Sequence, residues 1–332
     1  MSEAKRDGAA SPSGSPRAGR APDFFIVGQP KSGTTALYEM LRSHPEIYMP
    51  DGKEPWYFAS ELQLRPPPRP GGIPATFEEY LSLFAAAGED QLIGEASPMY
   101  LWSRTAARRI AETQPAARIV SILREPASLL YSLHLQFVKT GVETEADLAT
   151  ALSLEEQRRR GERLPRHSYW PQALLYSEHV RYVEQLRRYG EHFPPEQMLV
   201  LIYDDFRRDN EATVRTVLRF LGVDDSGPIE TRDANPTVGV RSQRLHRLLH
   251  AVSVGHGPAS RAAKRTVKAV TPSRLRRDAL AATQRRLVYV DPPPPDERLT
   301  GELRRRFKPE VVALGEYLKR DLVSLWGYDG VE

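Results

Sequence analysis

Near its N-terminus the chain carries a short run of glycine, lysine and hydroxyl residues with the composition of an anion-binding loop. This run, Gly28-Gln-Pro-Lys-Ser-Gly-Thr-Thr35, follows a short apolar segment and precedes a stretch with helical spacing. A loop in that position presents free backbone N–H groups and the positive end of a helix dipole to an anion, whereas the simpler interpretation is a tight glycine turn. The candidate phosphate-binding residues are Lys31, Ser32, Gly33, Thr34 and Thr35.

The place of the lysine argues against a bound nucleoside triphosphate. Loops that bind triphosphates read G-x-x-x-x-G-K-[ST], with the lysine directly after the second glycine. Gly28 and Gly33 have this spacing, but Thr34 follows, and Lys31 lies inside the loop. A cation there is suited to a 5′-phosphate and the bond to its leaving group, so we expect no hydrolysis of ATP or GTP. A P-loop small-molecule kinase is the alternative, and it requires a strand-ending aspartate for Mg²⁺.

A second basic group follows an apolar run later in the chain. Arg124 comes directly after residues 118–123, and Ser132 lies about two helical turns further on. An arginine fork beside a hydroxyl is suited to a separate phosphate group, although an isolated arginine is more often part of a surface ion pair. Together the two basic groups indicate a ligand that carries two phosphates.

Both groups resemble signatures of the PAPS-dependent sulfotransferase family, in its bacterial and heparan-sulfate-sulfotransferase-like branch, where PAPS is 3′-phosphoadenosine 5′-phosphosulfate. FFIVGQPKSGTTALYEMLRSHP, residues 24–45, resembles the 5′-phosphosulfate loop, and residues 122–132 resemble the 3′-phosphate signature. Shorter similar stretches, which extend the resemblance over most of residues 23–327, are 94–100, 193–206 and 320–326. The resemblance implies an enzyme that transfers a sulfuryl group from PAPS, a co-substrate, without a metal. The acceptor would be a hydroxyl or amine of a carbohydrate, lipid or secondary metabolite.

The resemblance also implies roles for single residues. Lys31 would neutralise the leaving phosphate, and Arg124 and Ser132 would hold the 3′-phosphate. Glu54 stands just before an aromatic pair, where the family has its general base, and an exposed loop acid is the alternative interpretation. His179, in a Tyr-x-x-His segment, is a second catalytic candidate, although a lone histidine on a helix is usually structural.

The chain departs from the family pattern at two places. Several relatives carry a lysine where this chain has Ala96, so a second cation must come from Lys53 or from the basic stretch 241–290. The late cofactor loop of the family has its nearest counterpart at residues 235–242, which implies that Arg241 also binds the 3′-phosphate. Glu95, next to Ala96, is expected to orient other groups rather than to catalyse.

Short strands and longer helices have to position these groups. Four apolar runs without alternation are typical of strands buried on both faces, namely residues 23–27, 91–95, 118–123 and 198–203. Helical spacing occupies residues 34–43, 104–114, 126–140, 172–188 and 210–221, and residues 302–326 are expected to form a helix pair that packs back onto the domain. Their alternation predicts an α/β fold, a P-loop-type doubly wound parallel sheet flanked by helices, as in the sulfotransferase fold. The acceptor pocket is expected in the loops at 53–75, 100–104 and 140–171.

Composition sets the outer limits of the interpretation. With 332 residues, of which 40% are hydrophobic, the chain is long enough for a single domain over residues 23–327, behind a disordered tail at residues 1–22. The absence of cysteine excludes disulfides, thiolate metal sites and cysteine nucleophiles. We find neither a signal peptide nor an apolar stretch long enough to cross a membrane, so we expect a soluble, cytoplasmic protein.

The formal charge of +4 suits either an anionic ligand or a solvated basic surface. Residues 241–290 contain twelve Lys or Arg and one acid, Asp278, which indicates a mobile basic lid or a poorly ordered surface segment. A non-enzymatic protein that binds polyanions or nucleic acid through this stretch is a further alternative. Since the aromatic residues typical of single-strand binders are not interleaved there, we expect no nucleic-acid partner. The sequence leaves the oligomeric state open.

Overall fold

A five-stranded parallel sheet forms the centre of the protein. The computed structural model describes residues 19–62, 73–165, 168, 170–231, 239–240, 289–290 and 294–331. In chain order the strands of the sheet are β1 (Phe24–Gly28), β2 (Ile47–Tyr48), β3 (Leu92–Ala96), β4 (Arg118–Leu123) and β5 (Met198–Ile202). They lie in the order β2-β3-β1-β4-β5, and each pairing between neighbours is parallel. The predicted fold class is confirmed.

Helices cover both faces of this sheet. In chain order they are α1 (Thr34–Arg42), α2 (Phe77–Ser82), α3 (Ala106–Thr113), α4 (Pro126–Thr140), α5 (Leu148–Ser153), α6 (Glu155–Arg159), α7 (Tyr182–Gly190), α8 (Tyr203–Arg208), α9 (Asn210–Leu221), α10 (Glu297–Leu318) and α11 (Leu322–Leu325). Phe24 and Ile26 of β1 belong to one hydrophobic cluster with residues of α1 and α9, whereas Phe25 and Val27 belong to a second with residues of α3, α4, α7 and α10. Because successive side chains of a strand point to opposite faces, this one apolar run supplies both layers of the core.

The four predicted strands lie within one residue of their predicted bounds, and the structure adds shorter ones. β2 has two residues, as do β6 (Gly239–Val240) and β7 (Tyr289–Val290), which form an antiparallel pair. Runs of two residues carry no periodicity that a sequence could reveal. Most of the predicted tail and of the basic stretch 241–290 lies outside the described residues. Arg20, within the predicted tail, already contacts the domain, since its Nη2 donates to the carbonyl of Gln91 over 2.7 Å.

The single helix predicted over residues 172–188 is wrong. The structure has two 3₁₀ turns, Pro171–Leu174 and Tyr176–Val180, followed by α7. A side-chain amide takes the place of a helical hydrogen bond here: Nε2 of Gln29 donates to the carbonyl of His179 over 2.9 Å. The N–H of Val183, which would bond that carbonyl in an α-helix, donates instead to Oε1 of Glu310 over 2.8 Å.

The predicted C-terminal helix pair is confirmed as α10 and α11, which pack back onto the domain. α10 begins earlier than predicted because the Asp296 side chain caps it. After α11, Nε1 of Trp326 donates to Asp204 over 2.8 Å, and the Tyr328 hydroxyl donates to Glu125 over 2.7 Å. These contacts brace the segments that follow β5 and β4, at the edge of the sheet where both strands end.

A buried ion pair holds the segment that follows α4. Arg158 donates to both carboxylate oxygens of Glu143, over 2.7 and 3.0 Å, and the two side chains are 2% and 0% exposed. The same carboxylate accepts from the Tyr176 hydroxyl over 3.2 Å. Both carboxylate oxygens of Glu143 therefore have hydrogen-bond donors, as burial of a charge requires, whereas Nε of Arg158 is buried without a partner.

Removing one member of this pair is expected to destabilise the domain. Arg158→Met would leave the Glu143 carboxylate buried without its counter-charge, which costs about 3–5 kcal/mol of unfolding free energy. The double variant Glu143→Gln/Arg158→Met should recover part of that loss, since no uncompensated charge remains. Urea titrations of the three proteins measure both effects, and a single variant within about 1 kcal/mol of wild type would contradict the argument.

Candidate active site

The glycine loop lies at the carboxyl end of the central strand. β1 lies between β3 and β4, so the strand order reverses there, and open α/β sheets bind ligands in the crevice at such a point. Gly33 precedes α1 with a left-handed φ of 85°, and no side chain caps the helix. A Cβ at Gly33 would lie 2.9 Å from the ring of Phe206, so both space and φ require glycine. The first N–H groups of α1 are therefore available to an anion.

The two predicted basic groups meet at this edge. Nη1 of Arg124 donates to the backbone carbonyl of Lys31 over 2.8 Å, and its Nε donates to Oγ of Ser128 over 2.9 Å. The guanidinium carbon lies 4.8 Å from the ring centroid of Tyr203. Ser132, the predicted hydroxyl, is buried one turn further along α4, and its role stays a prediction. Ser128 was not among the residues predicted from the sequence, although its spacing of one helical turn from Arg124 was a usable signal.

Lys31 lies among other cations. Its pKa is lowered to about 8, first by burial and then by the positive charges of Lys139, Arg124 and Lys53. A group of cations this close together is electrostatically complementary to a ligand that carries several phosphate or sulfate oxygens. Lys139, in the last turn of α4, was not predicted from the sequence, because its approach to Lys31 depends on how that helix crosses the sheet.

Lys53 and Glu54 approach the same loop from the segment after β2. Nζ of Lys53 donates to Oγ1 of Thr35 over 2.8 Å and lies 3.5 Å from Oε1 of Glu54. The N–H of Glu54 donates over 2.9 Å to the carbonyl of Ala96, at the end of β3. The candidate base and a second cation thus lie beside the first turn of α1. Lys53 was one of the two sources of a second cation that the sequence left open.

His179 lies in a buried aromatic cluster. Its Nε2 is 2.9 Å from the carbonyl of Ala173, and its ring stacks on Trp102 with centroids 4.8 Å apart. Burial lowers the pKa of the imidazole to about 4, so the ring is neutral near pH 7. His179 contacts the glycine loop through its backbone carbonyl, which accepts from Gln29. A catalytic role for its ring stays a prediction.

A cleft of about 280 Å³ opens beside this cluster. Its lining includes residues from each of the three predicted acceptor loops, among them Glu61, Trp102 and Arg159. Gln185, also in the lining, accepts from Nε2 of Gln29 over 2.6 Å, which connects the cleft to the glycine loop. Residues from all three predicted acceptor loops therefore meet in this cleft.

The remaining predicted ligand, Arg241, lies outside the described residues. β6 ends one residue before it and runs beside α4. Within the described residues, no cluster of three or more His, Cys, Asp or Glu is arranged to hold a metal ion. A search of the same residues finds no helix with the length and apolar character needed to cross a membrane.

Glu95 is a fully buried carboxylate at the end of β3. It accepts from the hydroxyls of Ser97 and Tyr80 over 2.6 Å each, and from Tyr100 over 3.3 Å. Burial raises the pKa of this carboxyl group to about 7, although the three hydrogen bonds act in the opposite direction. The network lies directly behind the segment that carries Glu54.

Comparison with known protein families agrees with this geometry. A family model described as Sulfotransferase domain matches residues 21–237. Human carbohydrate sulfotransferase 15 is 28% identical over 260 residues, which cover 64% of this chain and 45% of that protein. Heparan sulfate glucosamine 3-O-sulfotransferase 3A1 of Mus musculus is 27% identical over 202 residues, which cover 61% of this chain and 46% of that protein. The chain thus spans less than half the length of these curated relatives.

A solved structure is similar over nearly the whole chain. The crystal structure of a sulfotransferase from Alicyclobacillus acidocaldarius has a TM-score of 0.63 and 26% sequence identity to this chain. The match covers 92% of this chain and 98% of the other. The likeness therefore extends beyond residues 21–237.

Replacing Glu95 with glutamine is expected to change how stability depends on pH. The folded state holds the Glu95 proton with a pKa of about 7, above the ordinary 4.5 of an unfolded chain. Its stabilising contribution is therefore fully present below pH 4.5 and is lost as pH rises through 7, by up to about 3 kcal/mol. Glu95→Gln has no such proton. In urea titrations between about pH 5 and pH 8, the unfolding free energy of the variant should therefore rise relative to that of the wild type as the pH increases. A difference that is independent of pH would contradict this.

Proposed function

The chain belongs to the sulfotransferase family, and from that membership we propose that it transfers a sulfuryl group from PAPS to a hydroxyl or amine of a carbohydrate acceptor. The observation that carries the proposal is the 2.8 Å hydrogen bond between Nη1 of Arg124 and the carbonyl of Lys31. It brings two groups of residues, each suited to a separate phosphate, to one edge of the sheet. A single doubly phosphorylated adenosine is the ligand that such an arrangement fits.

We assign the two ends of the donor to these two groups. The 5′-phosphosulfate is assigned to the first turn of α1 and to Lys31, whose charge suits the oxygen that leaves. The 3′-phosphate is assigned to the guanidinium of Arg124 and the hydroxyl of Ser128, with Ser132 and Arg241 as further predicted ligands. This binding requires no metal.

In the transfer, the acceptor O–H or N–H loses its proton to the Glu54 carboxylate while its oxygen or nitrogen forms the new bond to sulfur. The bond between sulfur and the bridging phosphate oxygen breaks, and its electron pair stays on that oxygen. Lys31 stabilises the negative charge that develops there, as a fixed cation does in phosphoryl transfer. The products are the sulfated acceptor and 3′-phosphoadenosine 5′-phosphate (PAP).

Lys53 connects the base with the donor loop. Its Nζ is 2.8 Å from Oγ1 of Thr35 and 3.5 Å from Oε1 of Glu54. This contact holds the Glu54 carboxylate beside the start of α1, where the sulfuryl group would lie. The charge of Lys53 also adds to the positive potential around the group in transfer.

The proposed acceptor class rests on the relatives and on the cleft beside the loop. Two relatives, in human and Mus musculus, are named for carbohydrate and heparan sulfate glucosamine sulfation. The cleft offers the indole ring of Trp102, together with charged side chains that suit a polar sugar. We therefore place the acceptor in this cleft.

Glu54→Gln is expected to lower the turnover number by at least about 100-fold, because an amide cannot accept the acceptor proton. The affinity for PAP should stay unchanged, since Glu54 is not among the assigned phosphate ligands. Transfer of labelled sulfate to N-desulfated heparan sulfate and calorimetric binding of PAP measure the two quantities. Glu112→Gln, which changes an exposed carboxylate on α3, is the matched control. If Glu54→Gln keeps the wild-type rate, the base is misassigned.

The affinity for PAP is expected to fall as pH rises above about 8. Lys31 in the free protein has a pKa of about 8, so it is charged below that pH, and a bound phosphate keeps it charged. Above that pH, binding must take up a proton, and the dissociation constant should rise by up to about tenfold per pH unit. Calorimetric titrations between about pH 7 and pH 9.5 measure this dependence.

Lys31→Met supplies the comparison for this pH series. It should bind PAP more weakly than the wild type, and with a nearly flat dependence on pH over the same range. An equally steep dependence in the variant would assign the titration to another group. Tight binding of ATP with Mg²⁺ but not of PAP would favour the kinase alternative.

A further inference from the structure

Glu95 is a buried carboxylate that the transfer chemistry does not use. Three hydroxyls, those of Ser97, Tyr80 and Tyr100, donate to its two oxygens. Two of these distances are 2.6 Å, within the range of charge-assisted O–H···O⁻ hydrogen bonds. The ionised carboxylate, which is the form present above the pKa of about 7, accepts all three at once, whereas an amide offers a single acceptor oxygen.

Two of these hydroxyls also hold the backbone of the segment after Glu54. Oγ of Ser97 accepts from the N–H of Trp56 over 3.4 Å, and the hydroxyl of Tyr100 accepts from the N–H of Phe58 over 3.2 Å. Each hydroxyl has one proton, and donating it to Glu95 turns the oxygen lone pairs toward the two N–H groups. The carboxylate thereby sets the direction of both hydrogen bonds.

The segment that these bonds hold has an unusual backbone. Glu54 and Trp56 both have left-handed φ values, 64° and 56°, which non-glycine residues rarely adopt. Such residues keep this conformation only where surrounding contacts impose it. The next residue in the chain, Tyr57, is held from the side. Its ring stacks on the ring of Tyr80, another hydroxyl partner of Glu95, with centroids 4.7 Å apart.

We propose that Glu95 is a positioning residue for Glu54, which acts by fixing the hydroxyls of Ser97, Tyr80 and Tyr100 against residues 56–58. The inference rests on the proposed role of Glu54 as the base. It adds a requirement to that role, because a base contributes fully only where its carboxylate is held within reach of the proton it removes. Glu95 touches neither donor nor acceptor in this arrangement.

Two variants test the positioning role. Glu95→Gln removes the carboxylate, and Tyr100→Phe keeps the ring but removes the hydroxyl that accepts from Phe58. Hydrogen exchange followed by mass spectrometry should show backbone N–H exchange at residues 54–58 faster by about tenfold in Glu95→Gln, with residues 24–37 unchanged. In Tyr100→Phe the increase should be largest at Phe58. Glu155→Gln, which changes a buried carboxylate that accepts from Ser177, is the matched control and should leave both segments unchanged.

Turnover separates positioning from general stability. With N-desulfated heparan sulfate as the probe acceptor, Glu95→Gln should lower kcat by about tenfold and leave the acceptor KM and the PAP dissociation constant unchanged. Unchanged exchange at residues 54–58 in both variants would overturn the proposal, as would exchange that rises equally across the sheet. An unchanged kcat in Glu95→Gln, where Glu54→Gln is inactive, would also overturn it. If the wild type neither binds PAP nor sulfates the probe, the proposed function fails, while the exchange pattern still decides whether Glu95 holds the segment.

Discussion

The crowding of positive charge at the carboxyl edge of the sheet is the constraint on which the other features depend. Lys31, Arg124, Lys53 and Lys139 repel one another, and water screens this repulsion only in part around the half-buried Lys31. The fold tolerates it because the guanidinium of Arg124 faces a backbone carbonyl and the ring of Tyr203. A ligand with several negative charges removes the repulsion. Part of its binding free energy therefore comes from relieving a repulsion that is already present in the folded protein.

Local constraints explain which parts of this site could be predicted from the sequence. Position 33 has a left-handed φ and little space beside Phe206, and only glycine satisfies both conditions. Such a condition is visible in the sequence because it fixes the residue type. β1 and β4 are covered on both faces, so they stand out as unbroken apolar runs. The two basic groups could be placed at one edge because parallel strands end on the same side of a sheet.

Contacts between distant segments explain what could not be predicted. Residues 172–188 have helical spacing, but the side chain of Gln29 donates a hydrogen bond to the carbonyl of His179, in the middle of this stretch. The continuous helix is therefore interrupted there. Lys139, at the far end of α4, lowers the pKa of Lys31, although the two residues are far apart in the chain. These outcomes depend on how helices pack against the sheet, which spacing along one chain does not encode.

The brace between Tyr328 and Glu125 has a consequence for synthesis of the protein. It ties residue 328 to Glu125, the neighbour of Arg124, beside the candidate phosphate site. During synthesis the glycine loop therefore leaves the ribosome long before this brace can form. The hydrogen bond to Glu125 forms only once residue 328 has also emerged. A stop codon before position 328 would thus remove this brace from a site whose own residues are all encoded upstream.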